Sequence, residues 1–195
     1  MIIIGSGSAG KETLGMLLEQ GKTDNLFFYD ENKNAEDFIF NKYMVIKTTE
    51  ELIKALKVDN RFCVSIGNPR RRRKIFDKLI QLKAKPSNVI WDEKMSISKL
   101  QENASIIQPG VYISYDVQIG KSCLIHNNTS IGHKTIIGDF VNIGPLCSLI
   151  GPCIIGDETY ISAGSIILPN IKIGNNVYIN PGSIVNRDLK DFETF

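Results

Sequence analysis

Aliphatic residues fall on every sixth position of the C-terminal half. From Ile107 the series runs Ile107, Ile113, Ile119, Ile125, Ile131, Ile137, Ile143, Leu149, Ile155, Ile161, Ile167, Ile173, Ile179 and Val185, with no break in register. A second series stands four residues further on: Val111, Val117, Cys123, Thr129, Thr135, Val141, Cys147, Cys153, Thr159, Ser165, Ile171, Val177, Ser183 and Leu189. Most of these are small or β-branched. Glycine often follows the aliphatic residue, as at Gly120, Gly132, Gly138, Gly144, Gly156 and Gly174. A six-residue unit with one large and one small inward side chain buries no core alone. Stacked units do, because each strand hydrogen-bonds to the coils above and below. The pattern therefore predicts a parallel β-helix with three units per coil, in which residues 18 apart form columns. The repeats make about 4.7 coils, roughly 22 Å tall at the usual strand spacing.

Residues 1–86 follow another rhythm. Met1 to Ile4 reads as a short apolar strand, followed by an amphipathic helix through Leu14, Leu17 and Leu18. Further strands are predicted at Leu26–Tyr29, Tyr43–Ile46 and Phe62–Ile66, and helices at Thr49–Leu56 and Pro69–Leu82. Alternating strands and helices imply a small parallel sheet with helical crossovers. The chain thus divides into an α/β, Rossmann-like domain (1–86) and a β-helix domain (87–195).

Chemistry enters at the first turn. Gly5-Ser6-Gly7-Ser8-Ala9-Gly10 is a G-x-G-x-x-G between strand and helix, with Asp30 about 20 residues from it. Glycines there admit a phosphate to the backbone, and a helix N-terminus receives its charge. The alternative is a tight turn that binds nothing. A second feature, Gly67-Asn68-Pro69 followed by Arg70, Arg71, Arg72, Arg73 and Lys74, opens a helix with Asn68 as N-cap. Four arginines oppose the helix dipole there, so a pyrophosphate or a neighbouring acid should compensate. They cannot all face one site.

A net charge of +2 makes neither nucleic acid nor a membrane a default partner. No apolar run is long enough for a membrane span, and Met1 to Gly5 lacks the basic flank of a signal peptide, so the expectation is a cytoplasmic protein. Cys63, Cys123, Cys147 and Cys153 form no CxxC pair. Three of them occupy inward corner positions, which predicts reduced, packed thiols.

The repeat resembles the hexapeptide acyltransferases, and the resemblance implies a left-handed parallel β-helix and a homotrimer. Taken with Gly5 to Gly10, Ile66-Gly67-Asn68, Ile131-Gly132-His133 and Ile137-Gly138-Asp139, the whole chain resembles the sialic-acid O-acetyltransferase and UDP-4-amino-sugar N-acetyltransferase family. That resemblance implies an acetyl-CoA-dependent transferase of bacterial glycan biosynthesis. Its N-terminal domain would hold a nucleotide sugar, most simply a UDP-amino sugar, through Gly5, Ser6, Gly7, Ser8, Gly10, Asp30, Asn68 and Arg71. Acetyl-CoA, the cosubstrate, would lie in the groove between prisms near Asn142, Gly151, Ala163 and Gly182. No metal is implied.

His133 is the implied general base. The register supports it: His133 follows an inward aliphatic by two residues and so points outward, with Tyr115 and Gly151 as column neighbours. Gly151, lacking a side chain, is expected to leave room for a thioester. The residue after the histidine, often an acid in the family, is Lys134 here, expected beside His133 in the catalytic set, where it would lower the histidine's pKa if close; a second histidine found nine residues on in some members is replaced by Asn142, still a donor for a thioester oxygen. Ala9 stands where the glycine motif often has histidine. His126 is expected on a different prism face, with a surface or trimer-interface role. The chain ends before the Gly-x-Pro-Ala segment usual in the family, which raises the expectation of a truncated or altered tail. Three rivals remain: a γ-type carbonic anhydrase, which needs three histidines where this chain has two; an NAD-dependent enzyme; and a non-catalytic nucleotide-sugar-binding scaffold.

Overall fold

The computed structural model describes residues 1–195. Strands β1 (Ile2–Ile4), β2 (Phe27–Tyr29), β3 (Phe38–Ile39), β4 (Tyr43–Ile46), β5 (Arg61–Val64) and β6 (Lys85–Pro86) form one sheet in the order β3-β4-β2-β1-β5-β6. All neighbours pair in parallel except β3 with β4. Ile2, Ile3 and Ile4 are buried on both faces of the sheet, as a central parallel strand requires. Helices α1 (Ser8–Glu19), α2 (Thr49–Val58) and α3 (Pro69–Gln81) cover it. The chain leaves β1 toward β2 on one side and reaches β5 on the other, so the carboxyl ends of these strands sit at the switch point where doubly wound sheets take their ligands.

β7 (Val89–Ile90) joins the next domain by pairing with β8 (Ile106–Ile107). From there every hexapeptide contributes one two-residue strand, and the strands stack into three sheets. The first face carries β8, β11 (Leu124–Ile125), β14 (Asn142–Ile143), β17 (Tyr160–Ile161) and β20 (Tyr178–Ile179). The second carries β9 (Tyr112–Ile113), β12 (Ser130–Ile131), β15 (Ser148–Leu149), β18 (Ile166–Ile167) and β21 (Ile184–Val185). The third carries β10 (Gln118–Ile119), β13 (Ile136–Ile137), β16 (Ile154–Ile155) and β19 (Lys172–Ile173). The ladders register residues 18 apart, for example Leu124 on Asn142 and Ser130 on Ser148.

The prism interior is one apolar cluster built from the two hexapeptide series. Cys123, Cys147 and Cys153 lie inside it as free thiols, and Cys63, also free, is buried on β5 of the N-terminal sheet. At one vertex an Asx ladder closes successive coils. Asp139 accepts from the Lys121 amide, Asp157 from that of Asp139, Asn175 from that of Asp157, and Asp191 from that of Asn175, each at 2.8 Å. These side chains supply acceptors for corner amides that the strand ladders leave out. No helix is long and apolar enough to cross a membrane.

The N-terminal domain seats on the first face. Leu14, Leu17 and Phe28 share an apolar cluster with Ile106 and Leu124, and Phe76 stacks edge-on with Phe140 at 5.4 Å. Between the domains lies Arg72, with no exposed surface. Its Nε donates to Ser122 O (2.7 Å), Nη2 to Phe140 O (2.6 Å), and Nη1 to Ile66 O (2.6 Å) and Gly67 O (3.1 Å). Burial lowers its pKa to about 10, so it stays charged at neutral pH.

Candidate active site

The glycine turn has the geometry its motif demands. Gly5 sits at φ +97°, where a side chain would be strained and would press on Ser65 O. A Cβ on Gly10 would strike the Gly5 carbonyl, so only glycine lets α1 pack onto the turn. Gly7 is the N-cap of α1, has open space around it and makes no side-chain cap, leaving the first helical amides available. Ser8 beside it is exposed. The Ser6 amide (3.0 Å) and hydroxyl (2.7 Å) both donate to Asp30 Oδ2, and Asn32 N donates to Oδ1 at 3.0 Å. Burial alone would raise the Asp30 pKa; these hydrogen bonds and the Arg71 charge bring it below the usual value, so an ionised carboxylate is held at the rim.

Gly5, Gly7, Asp30, Arg71, Lys74 and Lys78 line a cleft of about 650 Å³ at the carboxyl ends of β1, β2 and β5. Lys78 bridges Glu31, the Tyr29 hydroxyl and Thr49 across its floor at 2.8–3.0 Å. Asn68 caps α3 by accepting from Arg71 N at 3.0 Å rather than facing the cleft itself. The four arginines divide as their crowding requires. Arg70 and Arg73 pair with acids of the prism, Glu158 and Asp157, and Arg73 also lies over the Phe140 ring at 4.8 Å. Arg72 is the interdomain clamp, and Arg71 alone of the four turns to the cleft. Sequence reasoning did not single out Arg72, because nothing local separates it from its neighbours.

His133 lies at the vertex between the second and third faces, half-buried, its ring stacked on Tyr115 (5.2 Å between centroids, 11° between planes). Its Nδ1 is buried with no hydrogen-bond partner. Lys134 holds the left-handed corner position (φ +56°), exposed and in no ion pair. Gly151 sits above His133, but not as a vacancy. A Cβ there would run into the His133 carbonyl and Gly132, so glycine is demanded by the close approach of two coils and clears no pocket beside the imidazole. Ala163 and Gly182 are exposed at another vertex, between the first and second faces, where Gly182 N donates to Ala163 O at 2.9 Å.

Asn142 is on the first face, 1% exposed beneath the N-terminal domain. Of the residues expected near acetyl-CoA, Gly151 shares the His133 edge, while Asn142, Ala163 and Gly182 lie elsewhere on the prism. His126 is half-buried in the seam of its own chain, where α1 packs over that vertex, and burial lowers its pKa. The 18-residue spacing from Gln108 was the available signal for its partner, since column neighbours stack.

Comparison with known proteins agrees with this architecture. The family described as PglD N-terminal domain matches residues 1–79, and the bacterial transferase hexapeptide family matches residues 134–168 and 152–187. A GDP-perosamine N-acetyltransferase of Escherichia coli O157:H7 is 28% identical over 176 residues, spanning 85% of this chain and 76% of that protein. The structure of PerB from Caulobacter crescentus, in complex with CoA and GDP-perosamine, superposes with a TM-score of 0.85 at 25% identity, covering 97% of this chain and 90% of PerB. The acetyltransferase domain of PglB from Neisseria gonorrhoeae, in complex with acetyl coenzyme A, superposes at 0.79 with 22% identity, over 99% of this chain and 93% of that one, and supports the left-handed β-helix fold. The chain thus joins a segment matching the PglD N-terminal domain to bacterial transferase hexapeptide repeats, and is similar along most of its length to a sugar N-acetyltransferase.

Proposed function

We propose that the protein transfers the acetyl group of acetyl-CoA to the amine of a nucleotide-linked amino sugar. The observation that carries this is the pairing, in one chain, of an anion-receiving glycine cleft with an outward imidazole on a hexapeptide prism. The helix amides at Gly7 and the Arg71 and Lys74 side chains suit a diphosphate, and Asp30 suits a ribose hydroxyl. The relatives act on or bind a GDP sugar, which moves the expected nucleotide from uridine toward guanosine.

The vertex bearing His133 is opposite the face that carries the N-terminal domain. A sugar held in the cleft of one subunit thus meets the His133 of a neighbour, and a homotrimer of parallel prisms supplies that neighbour. Tyr112, Ile136, Ile150 and Ile154, exposed on and between the second and third faces, give such an interface apolar surface. Tyr115 fixes the plane of the His133 ring. His133 takes a proton from the sugar amine as nitrogen attacks the thioester carbon, and returns it to the departing CoA thiolate. Backbone amides and Asn142 are the donors available to the developing oxyanion. Acetyl-CoA as cosubstrate supports a cytoplasmic location.

A thiol-release assay with acetyl-CoA and a panel of GDP-, UDP- and dTDP-amino sugars tests the reading. Release with one of them is expected, and His133→Ala should abolish turnover while acetyl-CoA binding persists. If no nucleotide sugar releases CoA, or if His133→Ala turns over normally, the assignment fails.

A further inference from the structure

Nothing in the transfer to a sugar uses Lys134, although it directly follows His133. The two are the outward residues of the corner turn between β12 and β13. That corner is pinned from both sides. Lys134 N donates to Tyr115 O at 3.0 Å in the coil before, and the His133 carbonyl packs against Gly151 in the coil after. The Lys134 backbone is left-handed (φ +56°), and consecutive Cα atoms lie about 3.8 Å apart, so the root of the lysine side chain is fixed beside the imidazole. Only its flexible four-carbon stem is free to move.

The ammonium at the end of that stem has no carboxylate partner. Asp116 holds the same corner one coil earlier and forms no ion pair with it. By contrast Lys11, Lys47, Lys78 and Lys121 each pair with an acid. Lys172 is also exposed and unpaired, but it stands between Ile171 and Ile173 on the third face, with no base beside it. The His133 ring is held against Tyr115, and because Nδ1 is buried, Nε2 is the nitrogen left to the surface. A primary amine next to that imidazole repeats the two groups that a sugar amine and His133 bring together in the transfer.

We propose that the protein acetylates its own Lys134 from bound acetyl-CoA when no acceptor sugar is present. His133 Nε2 takes a proton from the Lys134 ammonium, and the freed nitrogen attacks the thioester carbonyl carbon. The C–S bond breaks once the C–N bond has formed. The departing thiolate takes one proton to leave as the CoA thiol, and His133 passes the other to solvent. Lysine ammonium and acetyl-CoA thus give acetyl-lysine, CoA and one proton. The fixed root of the stem holds the nitrogen at a high effective concentration beside the thioester, so Lys134 competes with a dilute acceptor. The inference rests on the acetyl-CoA reading of His133 above, and not on the identity of the sugar.

The intact protein is incubated with isotopically labelled acetyl-CoA and no sugar, and the label on each lysine is followed by peptide mass spectrometry. Lys134 should be labelled at least about tenfold faster than Lys172, which reports the background reaction of an exposed lysine. In His133→Ala and His133→Gln, Lys134 should fall to the Lys172 rate while Lys172 itself is unchanged. Lys134→Arg should remove the fast label. A saturating amount of the acceptor sugar should suppress it in the wild type. Labelling of Lys134 no faster than that of Lys172, or fast labelling that survives in both His133 variants, would overturn the proposal. CoA release with an amino sugar but no fast label at Lys134 would defeat self-acetylation alone. Fast labelling of Lys134 without CoA release by any sugar would defeat the sugar acceptor and leave self-acetylation standing. The absence of both would defeat the acetyl-CoA reading and this inference with it.

Discussion

Replacing Arg72 with methionine probes the joint between the two domains. Methionine is close in length and apolar, so the substitution fills most of the volume but strands the carbonyls of Ser122, Phe140, Ile66 and Gly67 in a site with no solvent. Hydrogen bonds from a charged donor are worth about 1.5–3 kcal/mol each, and the stranded acceptors retain their desolvation cost. Against this, the mutant no longer buries a guanidinium. Removing one side of a buried charged arrangement costs about 3–5 kcal/mol net. For a chain of this size each kcal/mol lowers Tm by about 2–4 °C, so Arg72→Met should melt about 6–20 °C below the wild type. Trp91, the sole tryptophan, reports on the joint, since its amide donates to Ile107 O (3.0 Å) and its carbonyl accepts from Nε2 of Gln20 (3.2 Å), which caps the C-terminal end of α1. Thermal unfolding followed by Trp91 emission and by far-ultraviolet circular dichroism reads the effect. Lysine, unable to span four carbonyls with one ammonium, should recover only part of it. A Tm within about 2 °C of the wild type would refute the view that this guanidinium joins the domains.

Two further outcomes follow from burial and charge. Burial pushes the Cys63 and Cys123 thiols up to about 12 and raises those of Cys147 and Cys153, so a thiol reagent at pH 8 should label the native protein slowly and all four cysteines only after denaturation; fast stoichiometric labelling of the folded chain would contradict their packing. Asp59 is held well below the usual carboxylate range by Arg61 first and then by the Met1 ammonium at 2.7 Å, despite opposing burial. A depressed folded pKa stabilises above the unfolded value near 4 and loses that stabilisation as pH falls below it. Asp59→Asn should therefore lower the urea midpoint at pH 7 and match the wild type more closely at pH 3; a gap that persists unchanged at pH 3 would rule out the ionised carboxylate as its cause.

Much of this protein is legible in its sequence because its interactions are periodic. In a β-helix every coil meets the next at the same 18-residue offset, so one aliphatic position in six states the strands, the interior and the corners together. The same register predicted that Tyr115 would neighbour His133 and that three cysteines would face the core, and both placements are observed. The glycine turn was readable for a related reason: the left-handed backbone of Gly5 and the close approach of Gly10 to the Gly5 carbonyl are set within a few residues. Periodicity misled at Gly151, where the missing side chain reflects coil-to-coil contact rather than space for a substrate.

What the sequence left open are the relations between its two rhythms. Nothing in a run of four arginines separates Arg72, which enters the seam, from Arg71, which faces the cleft; the rotation of α3 against the prism decides it. Nothing in the hexapeptide pattern states that α1 covers the vertex of His126 and the face of Asn142, since these approaches join residues about 100 positions apart with no repeat between them. The sequence by itself therefore determined each domain, through local turns and a constant stacking offset. Only the tertiary structure decided how the domains meet, because docking buries particular side chains by shape and by pairing, and neither follows a period along the chain.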